Sequence, residues 1–204
     1  MDTEKIDPKK IHIVADILAG GGVVVYPTDT FYGLGVNCFS PVAVQRAYRL
    51  KKRDRSKPLS VVISNTKMLR FVAVDIPPVF AALRAEFWPG PLTLILRASP
   101  LVPAVLLGSN KTIGVRIPAF PWLRRMIRTA GFPITATSAN LSGEKEMTSA
   151  EQAIPIFWGK VDVIVDGGQV HGRLPSTVLD LTTKNPALIR EGAIPSSRLE
   201  KYLT

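Results

Sequence analysis

Apolar residues recur at helical spacing in several stretches of the chain and gather in short runs between them. Between 11 and 18 the apolar positions follow a helical period, and Asp7 and Pro8 before them predict the first turn of a helix. Gly20 to Gly22 then end the helix and lead into a buried strand over 22–26. Ser40 and Pro41 repeat this start signal for a second helix.

The same alternation of helical and strand patterns continues to the end of the chain. Helices are predicted over 65–72, 77–87, 121–130 and 148–157, and from Pro195 onward. Strands are predicted over 59–63, 92–96, 112–117, 134–137, 161–165, 177–181 and 187–190. Such alternation is typical of the α/β class, here a single domain with a twisted, mostly mixed β-sheet flanked by helices. We expect this domain over residues 8–195 and a C-terminal helical extension over 196–204.

The composition narrows the class of protein. The chain has 204 residues, of which 46% are hydrophobic, enough to bury a core without disulfides. One cysteine and two histidines argue against a thiolate or histidine-built metal site. No apolar run reaches membrane-spanning length, and the first ten residues are polar and charged. We therefore expect a soluble cytoplasmic protein with no membrane partner.

The positive charge is concentrated in one segment. The net charge is +10, and residues 46–70 hold nine lysines and arginines against one aspartate. A local field of this kind attracts polyanions such as nucleotides or RNA. A solvated helix face whose charges serve solubility explains the pattern equally well.

The end of the strand over 22–26 carries candidate ligand contacts. Thr28, Asp29 and Thr30 follow it directly, ahead of a Gly-Leu-Gly sequence over 33–35. Their oxygens could contact the ammonium, carboxylate or hydroxyl group of an amino acid. The alternative is a plain turn in which Asp29 caps the backbone.

Two basic motifs suit an anionic ligand. The loop over 51–59 delivers Arg53 and Lys57 to the start of a strand, and fixed cations stabilise the charge of phosphoryl groups. Arg116 lies within the apolar strand over 112–117, where a guanidinium is costly unless it meets an anion. We expect Arg116 to contact a carboxylate or phosphate; a structural ion pair is the alternative.

Two further segments place small hydroxyl residues at strand ends. The first runs over 135–143 and includes Ser138 and Asn140; the second runs over 175–192 and includes Ser176 and Arg190. Small side chains followed by glycine allow the backbone to approach a ligand closely. Either segment alone is a weak signal.

Together these motifs resemble the YrdC/TsaC family, the threonylcarbamoyl-adenylate synthases of tRNA modification. The anchors are Tyr26-Pro-Thr-Asp-Thr-x-Tyr-Gly-Leu-Gly, Lys51-x-Arg53-x-x-x-Lys57-Pro-Leu, Pro89-Gly-Pro-Leu-Thr, Gly114-Val-Arg-Ile-Pro, Ser138-Ala-Asn-x-Ser-Gly, and Ser176-Thr-Val-x-Asp with Arg190-Glu-Gly. They run in order from about residue 10 to about residue 195. The chain is similar to the short, single-domain members, without the extra C-terminal domain of longer ones.

The resemblance implies an activity and a set of roles. Such proteins condense L-threonine, bicarbonate and ATP into threonylcarbamoyl-AMP and pyrophosphate, for formation of the tRNA nucleoside threonylcarbamoyladenosine (t6A37). The implied threonine contacts are Thr30, Arg116, Ala136 and Ser176; the implied nucleotide contacts are Arg53, Lys57, Thr112, Ser138, Asn140 and Arg190. Arg53, Lys57 and Arg116 would carry catalysis. ATP is the nucleotide substrate, and Mg²⁺ would be held mainly by its phosphates and not by protein side chains.

The chain departs from the family pattern at two places. Val61 and Val62 stand where many members carry a histidine, and Glu146 stands where a serine is common.

The resemblance also implies double-stranded RNA or tRNA as a partner, and a transferase protein of the same pathway as a further one. Because of these departures and the implied RNA partner, two alternatives to a synthase stay open. They are a diverged double-stranded RNA- or tRNA-binding protein and a nucleotide sensor without synthase turnover.

Overall fold

The computed structural model describes residues 2–172 and 174–203. Its six α-helices are α1 (Ile11–Ala19), α2 (Pro41–Lys51), α3 (Leu69–Val72), α4 (Val79–Phe87), α5 (Pro121–Ala130) and α6 (Ala150–Phe157). Its strands are β1 (Glu4–Ile6), β2 (Val24–Tyr26), β3 (Gly33–Gly35), β4 (Ser60–Val62), β5 (Ala73–Val74), β6 (Leu92–Ala98), β7 (Thr112–Arg116), β8 (Ile134–Ser138), β9 (Val163–Val165), β10 (Thr177–Asp180) and β11 (Ala187–Arg190). No helix in the described part of the chain is long and apolar enough to cross a membrane.

The strands form one mixed sheet, which confirms the predicted α/β class and single domain. The order across the sheet is β1-β9-β2-β3-β8-β4-β7-β6-β10-β11, and β5 pairs with β6 beside this path. The pairs β1–β9, β2–β9, β4–β7 and β6–β10 are parallel. The remaining pairs are antiparallel. Strands distant in sequence therefore become neighbours, which brings the motifs of the chain together.

The sheet is covered by apolar helix faces. Strands β2 and β9 are fully buried, and α6 packs against both of them. Helices α1 and α5 pack against each other, and Val14, Leu18, Leu123 and Ile127 are inaccessible to solvent. Burial on both faces explains why these strands read as continuous apolar runs in the sequence.

One of the two predicted helix starts is confirmed and the other is wrong. The Ser40 side chain accepts a hydrogen bond from the Ala43 amide, so α2 begins as predicted. Helix α1 begins only at Ile11. The Asp7 carboxylate accepts instead from the Lys9 amide and closes a separate turn over 7–10. An aspartate followed by proline is compatible with the start of a helix and with a separate turn. The spacing of apolar residues locates the start of a helix only to within about one turn.

Glycine-rich and terminal segments differ most from the sequence expectation. Strand β3 is not predicted, because glycine has low strand propensity. It pairs with β2 and β8, and its glycines leave room for the Tyr26 ring: a Cβ at Gly35 would come 2.5 Å from Tyr26 Cε1, and one at Gly33 2.9 Å from Tyr26 Cε2. After Pro195 the chain forms two 3-10 turns, over Ser196–Arg198 and Glu200–Tyr202, where an α-helix is predicted. Thr204 lies outside the described residues.

Candidate functional site

A cavity of about 540 Å³ opens on one face of the sheet. Alternate residues of the central strands line it, as the two-residue period of a strand requires: Ser60 and Val62, Thr93 and Ile95, Thr112, Gly114 and Arg116, Ala136 and Ser138, Ser176 and Val178. The volume is in the range typical of small-molecule sites. Gly114 keeps the floor open, because a Cβ there would lie 2.5 Å from Ser60 Oγ.

Most of the site residues predicted from the sequence meet in this cavity. Those that line it are Thr30, Arg53, Thr112, Arg116, Ala136, Ser138, Ser176 and Arg190. Lys57 and Asn140 do not line it. The three arginines come from a loop, from β7 and from β11, so the fold brings together cations that are far apart in sequence.

Arg116 is buried and held from several sides. Its Nε donates to the Gly90 carbonyl at 2.9 Å, and Nη1 lies 3.4 Å from Thr30 Oγ1. Nη2 lies 2.6 Å from Asp29 Oδ2, in an ion pair whose side chains are 9% and 14% exposed. The Ala119 amide also donates to Asp29. Asp29 therefore fixes Arg116 and offsets much of its charge, a role that the hydroxyl-rich sequence at 28–30 did not reveal.

Arg53 and Arg190 are held differently, by neutral oxygens. Arg53 donates to the carbonyls of Lys57 and Pro58 at 2.8 and 3.2 Å. Arg190 donates to the Ser176 carbonyl at 2.7 Å through Nη2 and at 3.2 Å through Nε. Burial lowers the pKa of both guanidiniums, which nevertheless stay charged. Neither makes an ion pair within the described residues, so both charges remain available to a ligand.

Lys57 lies at the rim of the basic loop. Its side chain is exposed, and its carbonyl accepts from Arg53 and from the Tyr48 hydroxyl. The loop therefore uses the backbone of Lys57 to orient Arg53. Arg49, Lys52 and the other exposed bases around it point to solvent, in contrast to Arg53.

Asn140 lies beneath the cavity, in contact with a buried cation. Lys51 is 1% exposed, and its Nζ donates to the Ser138 carbonyl, to the Asn140 carbonyl at 2.7 Å and to Asn140 Oδ1 at 3.1 Å. Ser138 Oγ donates to the same Oδ1 at 2.5 Å, and Asn140 Nδ2 donates to the Glu144 carbonyl at 2.6 Å. Burial, followed by the nearby Arg53, lowers the pKa of Lys51 to about 8. Lys51 and Asn140 thus hold the end of β8, which carries Ser138, and the loop that follows it.

Several cavity residues are not among the site residues predicted from the sequence. Tyr26, Thr93 and Val178 belong to the anchor motifs but have no predicted role, and Ser60 lies outside the motifs. Thr93 Oγ1 lies 2.9 Å from Ser176 Oγ, which links two strands at the cavity wall. The two-residue period of a strand, counted from Ser176, would have identified Val178.

Both departures from the family pattern lie in the cavity wall. Val62 and Glu146 line it, and Glu146 is its only carboxylate among the described residues. The described part of the chain has no group of three or more histidines, cysteines, aspartates or glutamates that could hold a metal ion. A divalent cation would therefore depend on oxygens brought by the ligand.

Comparison with known proteins shows the family to which this fold and cavity belong. The family model Sua5_yciO_yrdC, described as "Telomere recombination", matches residues 16–192. The chain therefore belongs to the Sua5/YciO/YrdC family. This confirms the family predicted from the six motifs.

A curated relative and two solved structures show how far the similarity extends. The threonylcarbamoyl-AMP synthase of Pyrococcus abyssi is 40% identical over 98% of this chain and 59% of its own length. The crystal structure of P. abyssi Sua5 complexed with L-threonine has a TM-score of 0.92 at 40% identity, over 99% of this chain and 59% of that chain. The crystal structure of E. coli YciO has a TM-score of 0.87 at 28% identity and covers 100% of both chains. The chain thus spans about three fifths of the P. abyssi protein.

Proposed function

We propose that this chain catalyses the formation of threonylcarbamoyl-AMP from L-threonine, bicarbonate and ATP, with release of pyrophosphate, as a step towards t6A37 in tRNA. The observation that carries the proposal is the convergence of Arg53, Arg116 and Arg190 on one cavity of about 540 Å³. The relative of this name, 40% identical over nearly the whole chain, supports it. So does the Sua5 structure complexed with L-threonine.

The reaction needs orientation and charge stabilisation more than a protein nucleophile. The threonine amine forms a C–N bond with the carbon of bicarbonate, with loss of water, to give a carbamate. A carbamate oxygen then attacks the α-phosphorus of ATP, and the bond to the β-phosphate oxygen breaks to release pyrophosphate. A carbamate is already an anionic nucleophile, so fixed cations and close positioning lower the barrier.

The cavity offers separate places for the two substrates. Arg116 and Thr30 would take the carboxylate and hydroxyl of threonine, with Ala136 and Ser176 beside them. Arg53 and Arg190 would take the phosphates of ATP, with Thr112 and Ser138 on the nucleotide side. Lys57 would join them from the basic loop, and Asn140 would act through the loop that it holds. Mg²⁺ would arrive with the phosphates and supply charge stabilisation there.

The test is pyrophosphate release with each of the three substrates omitted in turn. We expect release only when threonine, bicarbonate and ATP are all present. Arg190→Ala should reduce release at least tenfold, because a charge-assisted contact contributes about 2 kcal/mol. Arg125→Ala is the matched control, since Arg125 is exposed on α5 and does not line the cavity.

The outcomes separate the candidate functions. Release that does not depend on threonine, or no release above background, would contradict the synthase. Calorimetry showing that threonine and ATP bind without turnover would favour the nucleotide sensor. Transfer of the product to tRNA by a transferase protein of the same pathway remains a further proposal, checked by adding that protein to the reaction.

RNA binding is a second candidate, favoured by the exposed bases of the basic segment. Arg49, Lys52, Arg55 and Lys57 are exposed, whereas Lys51 is buried beneath the cavity. Double-stranded RNA or tRNA would meet these exposed cations through its phosphates. Affinity should fall steeply as salt rises, and Arg49→Ala with Arg55→Ala should weaken it. A shallow salt dependence would contradict this surface.

A further inference from the structure

One carboxylate lies in a cavity otherwise lined by cationic and neutral groups. Glu146 lines the cavity together with Arg53 and Arg190, the two arginines of the cavity that lack an ion-pair partner among the described residues. A carboxylate at the place proposed for phosphates repels them. A role for this carboxylate rests on the proposed function, in which ATP binds in the cavity.

The backbone holds Glu146 in the cavity. The Met147 carbonyl accepts from the Tyr32 amide at 2.8 Å, and Met147 is 6% exposed. On the other side, the Glu144 carbonyl accepts from Asn140 Nδ2 at 2.6 Å. Because hydrogen bonds hold the chain on both sides of Glu146, its backbone is positioned at the cavity.

The charge of Glu146 affects the pKa of two nearby cations. Burial lowers the pKa of Lys51 and of Arg190, and the Glu146 carboxylate opposes that shift in both. Glu146 forms no ion pair within 4.0 Å with a described residue. Its oxygens are therefore near the cations but remain free to bind another positive charge.

We propose that Glu146 makes the cavity select a nucleotide that carries a divalent cation over the bare polyphosphate. Magnesium commonly binds through phosphate oxygens and one or two carboxylates. Glu146 supplies one such carboxylate, and the described residues supply no cluster that could hold the ion without the nucleotide. When the cation is present the carboxylate is a ligand; when it is absent the same carboxylate repels the phosphates.

The test compares ATP affinity with Mg²⁺ and with a chelator in place of Mg²⁺, by titration calorimetry. In the native protein the affinity ratio should favour Mg-ATP. Glu146→Gln should weaken Mg-ATP binding and strengthen metal-free ATP binding, so that the ratio falls about tenfold. Glu146→Ser, which removes the carboxylate and shortens the side chain, should lower the ratio in the same direction.

Glu144→Gln is the matched control, because Glu144 lies in the same loop but its side chain is exposed outside the cavity. It should leave the ratio unchanged, and threonine affinity should stay native in all variants, which also reports that they fold. An unchanged ratio in Glu146→Gln, including an equal gain for both forms of ATP, overturns the inference. Absence of ATP binding in the native protein overturns the proposed function and the inference together.

Discussion

The two ends of the cavity hold their arginines in different ways. At one end Arg116 is buried, paired with Asp29 at 2.6 Å and in contact with Thr30. At the other end Arg53 and Arg190 rest on backbone carbonyls and have no ion-pair partner among the described residues. The first end is nearly neutral and its arginine is held by several contacts, whereas the second has excess positive charge.

This difference matches the two substrates of the proposed reaction. A zwitterionic amino acid carries no net charge and needs a fixed guanidinium of defined orientation. A polyphosphate carries several negative charges and needs cations that are not already neutralised. The free energy of unfolding should therefore depend mainly on the contacts of Arg116. The affinity for an anionic ligand should depend mainly on Arg53 and Arg190.

The largest effect should follow removal of the paired arginine. Arg116→Ala leaves the Asp29 carboxylate buried without its charged partner, so the free energy of unfolding should fall by about 3 kcal/mol and threonine binding should be lost. Urea unfolding and calorimetry measure the two effects. The double variant Asp29→Leu with Arg116→Met should regain stability but not threonine binding. A loss below about 1 kcal/mol in Arg116→Ala would show that the pair is not structural.

A comparable effect should appear at alkaline pH, through the buried lysine beneath the loop. The pKa of Lys51 is lowered to about 8 in the folded protein, while in the unfolded chain it is 10.5. Between these values the unfolded chain binds more protons, so the free energy of unfolding should rise with pH, by at most about 3 kcal/mol from Lys51. The rise should be missing in Lys51→Met, measured by urea unfolding across that range. Equal slopes in both proteins would contradict the shift.

A smaller effect on stability and a clear effect on affinity should follow loss of an unpaired arginine. Arg53→Ala removes hydrogen bonds to two carbonyls, so the free energy of unfolding should fall by only about 1 kcal/mol. ATP affinity should fall about tenfold, by calorimetry, because a charge for the phosphates is lost. Arg55→Ala, exposed in the same loop, is the control and should change neither quantity.

The smallest effect on ligand affinity should come from raising the ionic strength. Raising the ionic strength should weaken ATP binding several-fold, because the charges of Arg53 and Arg190 are partly open to solvent. Threonine affinity should hardly change, since Arg116 is 8% exposed and already paired. Equal salt dependence for both ligands would remove the distinction between the two ends.

The sequence predicts the order of elements well because apolar periods are local. Ser40 before Pro41 sets the start of α2, and the β-branched runs set β4, β7 and β9. It fails where pairing with distant strands overrules local propensity, as in β3, whose two glycines leave room for the Tyr26 ring.

The site is predictable only in part, since charge partners come from distant segments. Arg116 stands out as a cation in an apolar strand, but nothing local identifies Asp29 as its partner. Lys51 reads as one base among many, yet it is buried against Ser138 and Asn140, which follow it by almost ninety residues. The roles assigned to the cavity residues remain predictions.

Tyr26 forms part of the cavity wall, and its ring lies against the bare backbone of Gly33 and Gly35. A single methyl group added at Gly35 would have to displace the ring or the neighbouring β8 backbone, since the Thr135 carbonyl is also only 3.1 Å from that methyl. The room available to a ligand thus depends on two side chains that are absent, because any larger residue at position 33 or 35 would shift the tyrosine that bounds the cavity.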